Sequence, residues 1–158
     1  MTDDDKMFMQ RAIELARLGV EQNVGGPFGC VVVRDGEIVG EGNNRVTSLN
    51  DPTAHAEVIA IREACEKLAS FQLDGCTIYT SCEPCPMCLG AIYWARPDRI
   101  LYAATREDAA AIGFDDEFIY QELAKTNETR EYSLENLMSE EARAVFREWS
   151  AKADKVEY

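Results

Sequence analysis

Three cysteines stand at three-residue spacing in "TSCEPCPMCLGA": Cys82, Cys85 and Cys88. Thiols packed this tightly hold a metal or carry out redox chemistry. About 30 residues upstream lies the single histidine of the chain, His55, in "TAHAEV", with Glu57 two positions later. Thiolate sulfur and imidazole nitrogen are ligands that zinc takes readily, and a catalytic zinc site keeps three protein ligands and one open position. A carboxylate beside such an ion can take a proton from water and hand it to a departing group.

Taken together, H-x-E followed by P-C-x-x-C matches the signature of zinc deaminases. Cys85 and Cys88 are i and i+3, so they share a face at a helix start, where the positive end of the helix favours thiolates. Pro84 and Pro86 are tolerated there because the first backbone N–H groups lack helical partners. Deamination by water needs a proton shuttle, and Glu57 is assigned that role rather than metal ligation. Its i, i+2 spacing from His55 points the two side chains to different sides of a regular helix. His55 is therefore expected in the first turn or just ahead of it. Cys82 leaves a second arrangement open. If it joined the others, the site would be a closed Cys₃His centre and the protein a zinc-stabilised interaction module. Cys82 precedes Pro84 at a strand end, so its side chain need not follow the other two, and a closed site leaves Glu57 without a role.

The elements that must position these residues follow from periodicity. A helix is expected from Asp5 to about Gly19, with Ala12, Leu15, Ala16 and Gly19 on one face. "CVVVRDGEIVGEG" reads as two strands around the tight turn Asp35-Gly36. "NNRVTSLNDPT" reads as a polar loop, and a helix from about Ala54 to Ala69 carries Val58, Ile61, Cys65 and Leu68 at helical spacing. "CTIYTS" is a short buried strand, the cysteine run opens a helix ending near Ala95, and "RILYAA" is another strand. An irregular acidic stretch around Gly113 precedes a helical piece near Ile119 to Lys125. A final amphipathic helix carries Ala142, Val145, Phe146 and Trp149, with Ser139 as its expected cap. Alternating strands and helices indicate an α/β sandwich.

Length and charge narrow the classes. The 158 residues suit one domain, with no repeat or linker dividing them. Sixteen Lys and Arg against 29 Asp and Glu leave a net charge of −13. No basic run exceeds two residues, which disfavours nucleic acid and anionic membrane surfaces as partners. No apolar run approaches the ~18 residues of a membrane span. "MTDDDK" is acidic where a secretory signal is basic. A cytoplasmic location is expected, with the six cysteines as thiols or metal ligands. Cys30, Cys65 and Cys76 read as packing residues.

"GGPFG", "DPTAHAEV", "YTSCEPCPMCLGAIYWAR", "GFDD" and the terminal "EY" carry a resemblance over nearly the whole chain. They resemble the cytidine-deaminase-like superfamily and, within it, the short zinc-dependent bacterial guanine deaminases. The resemblance implies a three-layer α/β/α sandwich with a central mixed five-stranded sheet and a single deaminase domain over residues 1–158. It implies one Zn²⁺ per subunit, guanine as substrate, and xanthine and ammonia as products. It also implies a homodimer in which the C-terminal segment, about residues 130–158, is swapped between subunits. Carried over residue by residue, the ligands are His55, Cys85 and Cys88, and Glu57 is the proton shuttle. Asn44 hydrogen-bonds the purine and Ala56 offers its backbone N–H. Phe114 walls the pocket, Asp116 lies near the amine at C2, and Tyr158 reaches the partner subunit's site. Read from local sequence alone, Asn43-Asn44 is also a loop turn, "GFDDEF" also an exposed acidic loop, and a terminal Tyr is commonly frayed. Neighbouring activities share the zinc motif. A tRNA adenosine deaminase has the same H-A-E and P-C-x-x-C but needs a basic surface. A deaminase of another aminoheterocycle, cytosine-type or triazine, differs mainly in its loops.

Overall fold

The computed structural model describes residues 1–158 and divides into two units, Met1–Asp116 and Glu117–Tyr158. In the first unit, α1 (Asp3–Glu21) begins at a capping box: Asp5 N–H donates to Thr2 Oγ1, and the Asp5 carboxylate accepts from Thr2 N–H. Phe8, Ala12, Leu15, Ala16 and Gly19 recur at helical spacing and form its buried stripe. Strands β1 (Gly29–Arg34) and β2 (Glu37–Asn43) are antiparallel. Asp35 and Gly36 both have positive φ, 52° and 80°, as a two-residue hairpin turn with the right twist requires. β3 (Cys76–Cys82) runs antiparallel to β1, and β4 (Arg99–Ala104) runs parallel to β3. The order is β2-β1-β3-β4.

Both faces of the sheet are covered, which explains why β1 is apolar without alternation. Val31, Val33 and Tyr79 pack against Phe8, Ala12 and Leu15 of α1. The opposite face, with Cys30, Val32 and Ile78, meets Ala56, Ala60 and Ala64 of α3 (Ala56–Leu68) and Ile92 and Ala95 of α4 (Pro86–Ala95). Small residues set the spacing there. A Cβ on Gly42 would fall 2.2 Å from the Ala56 carbonyl oxygen, and one on Gly40 would fall 2.3 Å from that of Ala60. β2 thus presses against the backbone of α3 and fixes where that helix begins.

The structure corrects several expectations. The mixed sheet has four strands, not five. After β4 the sequence Thr105-Arg106-Glu107-Asp108 forms another capping box and turns at once into α5 (Arg106–Ala111), where an irregular stretch was expected. Within the expected polar loop, residues Val46–Leu49 form a one-turn helix, α2. In the second unit, α6 spans Glu117–Leu123 and α7 spans Ser139–Ala151. Ser139 does not cap α7: Met138, left-handed at φ 57°, occupies the cap, and the Ser139 hydroxyl bonds the Asn136 side chain instead. The apolar stripe of α7 exists, but none of its residues is buried within the chain, and Val145 and Phe146 are exposed. No helix is long and apolar enough to cross a membrane.

Candidate active site

Two helix starts converge at the mouth of β3. His55 is the N-cap of α3, extended at φ −73° and ψ 156°, and Cys85 is the N-cap of α4, with Pro86 as its first helical residue. Cys88 follows one turn later and is fully buried. His55 Nδ1 lies 3.6 Å from Cys85 Sγ and 3.5 Å from Cys88 Sγ. A tetrahedral zinc with bonds of about 2.3 Å to sulfur and about 2.05 Å to nitrogen would set each S···N separation at about 3.6 Å. The three ligand atoms lie within 4.8 Å of one another, so their chemistry and spacing both fit that ion.

The thiols respond to each other and to the imidazole. The pKa of Cys85 is depressed to about 4, chiefly by its neighbour Cys88 and further by His55, against the cost of burial. Cys88 is pushed strongly upward by its proximity to Cys85 and by burial. His55 is raised by its bond to Cys85. A metal takes cysteine as thiolate and histidine as neutral imidazole, so a dication bound here would displace the protons these groups carry.

Glu57 sits in the first turn of α3, 6% exposed. Its Oε1 accepts from Thr80 Oγ1 at 3.0 Å and its Oε2 from Cys88 Sγ at 3.3 Å. Burial raises its pKa. The awkward i, i+2 spacing resolves itself because His55 lies outside the helix, on extended backbone, while Glu57 lies within it. Ala56, between them, is the first residue of α3, so its N–H has no intrahelical acceptor. Cys82 does not join the cluster. Its Sγ donates to the Thr105 carbonyl at 3.5 Å, and burial pushes its thiol up to about 11.

A second group lies around the "GGPFG" loop. Asn44, 5% exposed, follows β2. Its Oδ1 accepts from Gly26 N–H at 3.1 Å and Val46 N–H at 3.2 Å, which fixes the side chain against the loop. Gly25 has no room for a side chain, since a Cβ would fall 2.2 Å from the Asn44 carbonyl oxygen. Phe114 meets Phe28 edge to face with centroids 4.9 Å apart. Both rings crowd Gly26, where a Cβ would sit 3.1 Å from each. Asp116 is half-buried. Burial raises its pKa, followed by the negative charge of Cys85, so its carboxyl lies within the field of the cysteine pair. Tyr158 ends the second unit and is 72% exposed.

Sequence reasoning did not single out Thr80, and it quoted "GGPFG" as a motif without giving a role to Gly25, Gly26 or Phe28. Thr80 carried a readable signal: it pairs with Cys30 while Ile78 pairs with Val32, so it falls on the face that meets α3. A hydroxyl there must find a partner.

One histidine and two cysteines, with a buried carboxylate against them on a mixed sheet flanked by helices, form a donor set that fits zinc. The cytidine and deoxycytidylate deaminase zinc-binding region matches residues 2–104, and the chain belongs to this family. Guanine deaminase of Bacillus subtilis is 56% identical over 151 residues, covering 96% of this chain and 97% of that protein. The crystal structure of guanine deaminase from Bacillus subtilis superposes with a TM-score of 0.95 at 54% identity, covering 100% of this chain and 99% of that one. The tRNA-specific adenosine deaminase of Aquifex aeolicus is 44% identical over 78 residues, covering 49% of this chain and 52% of that protein.

Proposed function

We propose that the protein hydrolyses guanine to xanthine and ammonia. The observation that carries this reading is the His55, Cys85 and Cys88 cluster with Glu57 buried against it, in a chain similar to a guanine deaminase over 96% of its length. His55, Cys85 and Cys88 would hold one zinc ion per subunit. Bound there, zinc would supply the Lewis acidity that lowers the pKa of water towards neutrality. Glu57 would take one proton from the attacking water and give it to the ring nitrogen as oxygen adds at C2, then take the second from the added hydroxyl and give it to the amine, so that the C–N bond breaks, ammonia leaves and the carbonyl of xanthine forms. Its proximity to the cysteine pair and its bond from Thr80 hold it where such transfer is short. Asn44 donates to an acceptor of the purine, and the Ala56 N–H gives a second donor at the start of α3. Phe114, braced by Phe28, covers a face of the base. Asp116 accepts from the amino group.

We read residues 1–158 as one deaminase domain acting as a homodimer, with about residues 130–158 exchanged and Tyr158 closing the partner's pocket. The exposed apolar stripe of α7 supports this, since such a face calls for a surface to cover it. All six cysteines are unpaired as disulfides, which suits a cytoplasmic location.

A zinc-stabilised interaction module fits less well, because it would give Glu57 no reason to be buried and Cys82 every reason to ligate. A nucleic-acid substrate fits poorly with a net charge of −13. Purified protein assayed for ammonia on guanine, adenine, cytosine, a triazine and an adenosine-bearing tRNA stem-loop, with and without chelator, separates these readings. Release from guanine that chelator abolishes and zinc restores is the expected result. Chelator-insensitive release, or release from the RNA alone, would overturn the proposal.

A further inference from the structure

Thr80 lies in the middle of β3, 1% exposed, on the face that carries Ile78 and Cys30 into the α3 side of the core. A valine would occupy nearly the same space without importing a hydroxyl into an apolar layer. The hydroxyl has one side-chain partner, Glu57 Oε1, at 3.0 Å. The other carboxylate oxygen, Oε2, is held by the Cys88 thiol at 3.3 Å. That second bond cannot survive metal ligation, because a cysteine ligates as thiolate and then has no proton to donate. Thr80 is the side-chain donor that remains.

We propose that Thr80 is a positioning residue: its hydroxyl ties down Glu57 Oε1, so that Oε2 alone faces the metal pocket and exchanges the proton. The inference rests on the shuttle role assigned above to Glu57. A glutamate has three side-chain torsions, and a shuttle must receive and return its proton within one short-lived geometry. Tying one oxygen removes the rotations that would turn the carboxylate away between the two transfers. Misplacement of a reacting group by about 1 Å can cost on the order of 10²-fold in rate. The expected loss is in turnover rather than in binding, because the Thr80 hydroxyl bonds Glu57 and not a ligand atom of the cluster or the Asn44 side chain.

The test compares Thr80→Val with Thr80→Ser in the full zinc-loaded chain, on whichever substrate of the panel the wild type turns over fastest. Zinc content and the dissociation constant of xanthine, measured by calorimetry, are read alongside. Thr80→Val is expected to lose about 10- to 100-fold in kcat, the range for a lost hydrogen bond to a charged group. Its KM, zinc content and xanthine binding should match the wild type, and Thr80→Ser should restore most of the rate. If Thr80→Val does not fold, Thr80→Ala against Thr80→Ser makes the same comparison. Near wild-type kcat without the hydroxyl would overturn the proposal. So would a loss that follows zinc content, or a serine variant as slow as the valine one. An inactive wild type is a separate result: it overturns the functional reading and this inference with it.

Discussion

Replacing Glu57 with glutamine separates chemistry from architecture more cleanly than any other change in the site. Glutamine has the same shape, and its carbonyl can still accept from Thr80 Oγ1, 3.0 Å away in the native protein. Its amide nitrogen would take the place of Oε2, 3.3 Å from Cys88 Sγ, where it can donate to a thiolate. The side chain is 6% exposed, and burial already disfavours its charge, so a neutral amide should not lower stability. What is lost is the ability to accept and return a proton. General acid–base catalysis contributes about 10²–10⁴-fold, equivalent to roughly 2.7–5.4 kcal/mol of barrier. Xanthine formation should fall by at least that factor, while metal analysis finds as much zinc as in the wild type and the melting temperature does not drop. Turnover within tenfold of wild type at full zinc would refute the assignment of Glu57.

Asp116→Ala should reduce guanine turnover by several orders of magnitude while leaving zinc content and melting temperature unchanged, since a site built around a polar contact discriminates on that scale. Unchanged kinetics would return "GFDD" to the status of an acidic loop. Gly42→Ala drives a methyl to within 2.2 Å of the Ala56 carbonyl oxygen, so urea unfolding should show a loss of about 1–3 kcal/mol and zinc should bind more weakly as the start of α3 shifts. Deleting Glu157 and Tyr158 should leave zinc bound but sharply reduce turnover. Heterodimers of that chain with Glu57→Gln should recover part of the activity, because one site then has both residues. Heterodimers without recovery would place the action of the tail in its own subunit or nowhere.

Features encoded locally were the ones legible before the structure. The Asp35-Gly36 turn, the α1 stripe and the H-x-E and P-C-x-x-C spacings each depend on residues a few positions apart. The capping box at Thr105 was equally local, yet the acidic residues around it read as irregular. Ser139 failed as a cap because a left-handed Met138 and the Asn136 side chain took over, a competition that composition does not reveal. Thr80 and Glu57 are 23 residues apart, and Phe28 and Phe114 further still, so only the fold joins them. Cys82 shows the same limit: its spacing matched its neighbours, but a strand end aimed its thiol at the Thr105 carbonyl.

X-ray absorption at the zinc edge of the purified protein tests most directly whether this is an open hydrolytic centre. Two sulfurs at about 2.3 Å and two lighter atoms at about 2.0–2.2 Å are expected, with the pattern unchanged in Cys82→Ser and lost in Cys85→Ser. Three sulfurs in the coordination shell, or a shell altered by Cys82→Ser, would mean a closed structural site and would contradict the account.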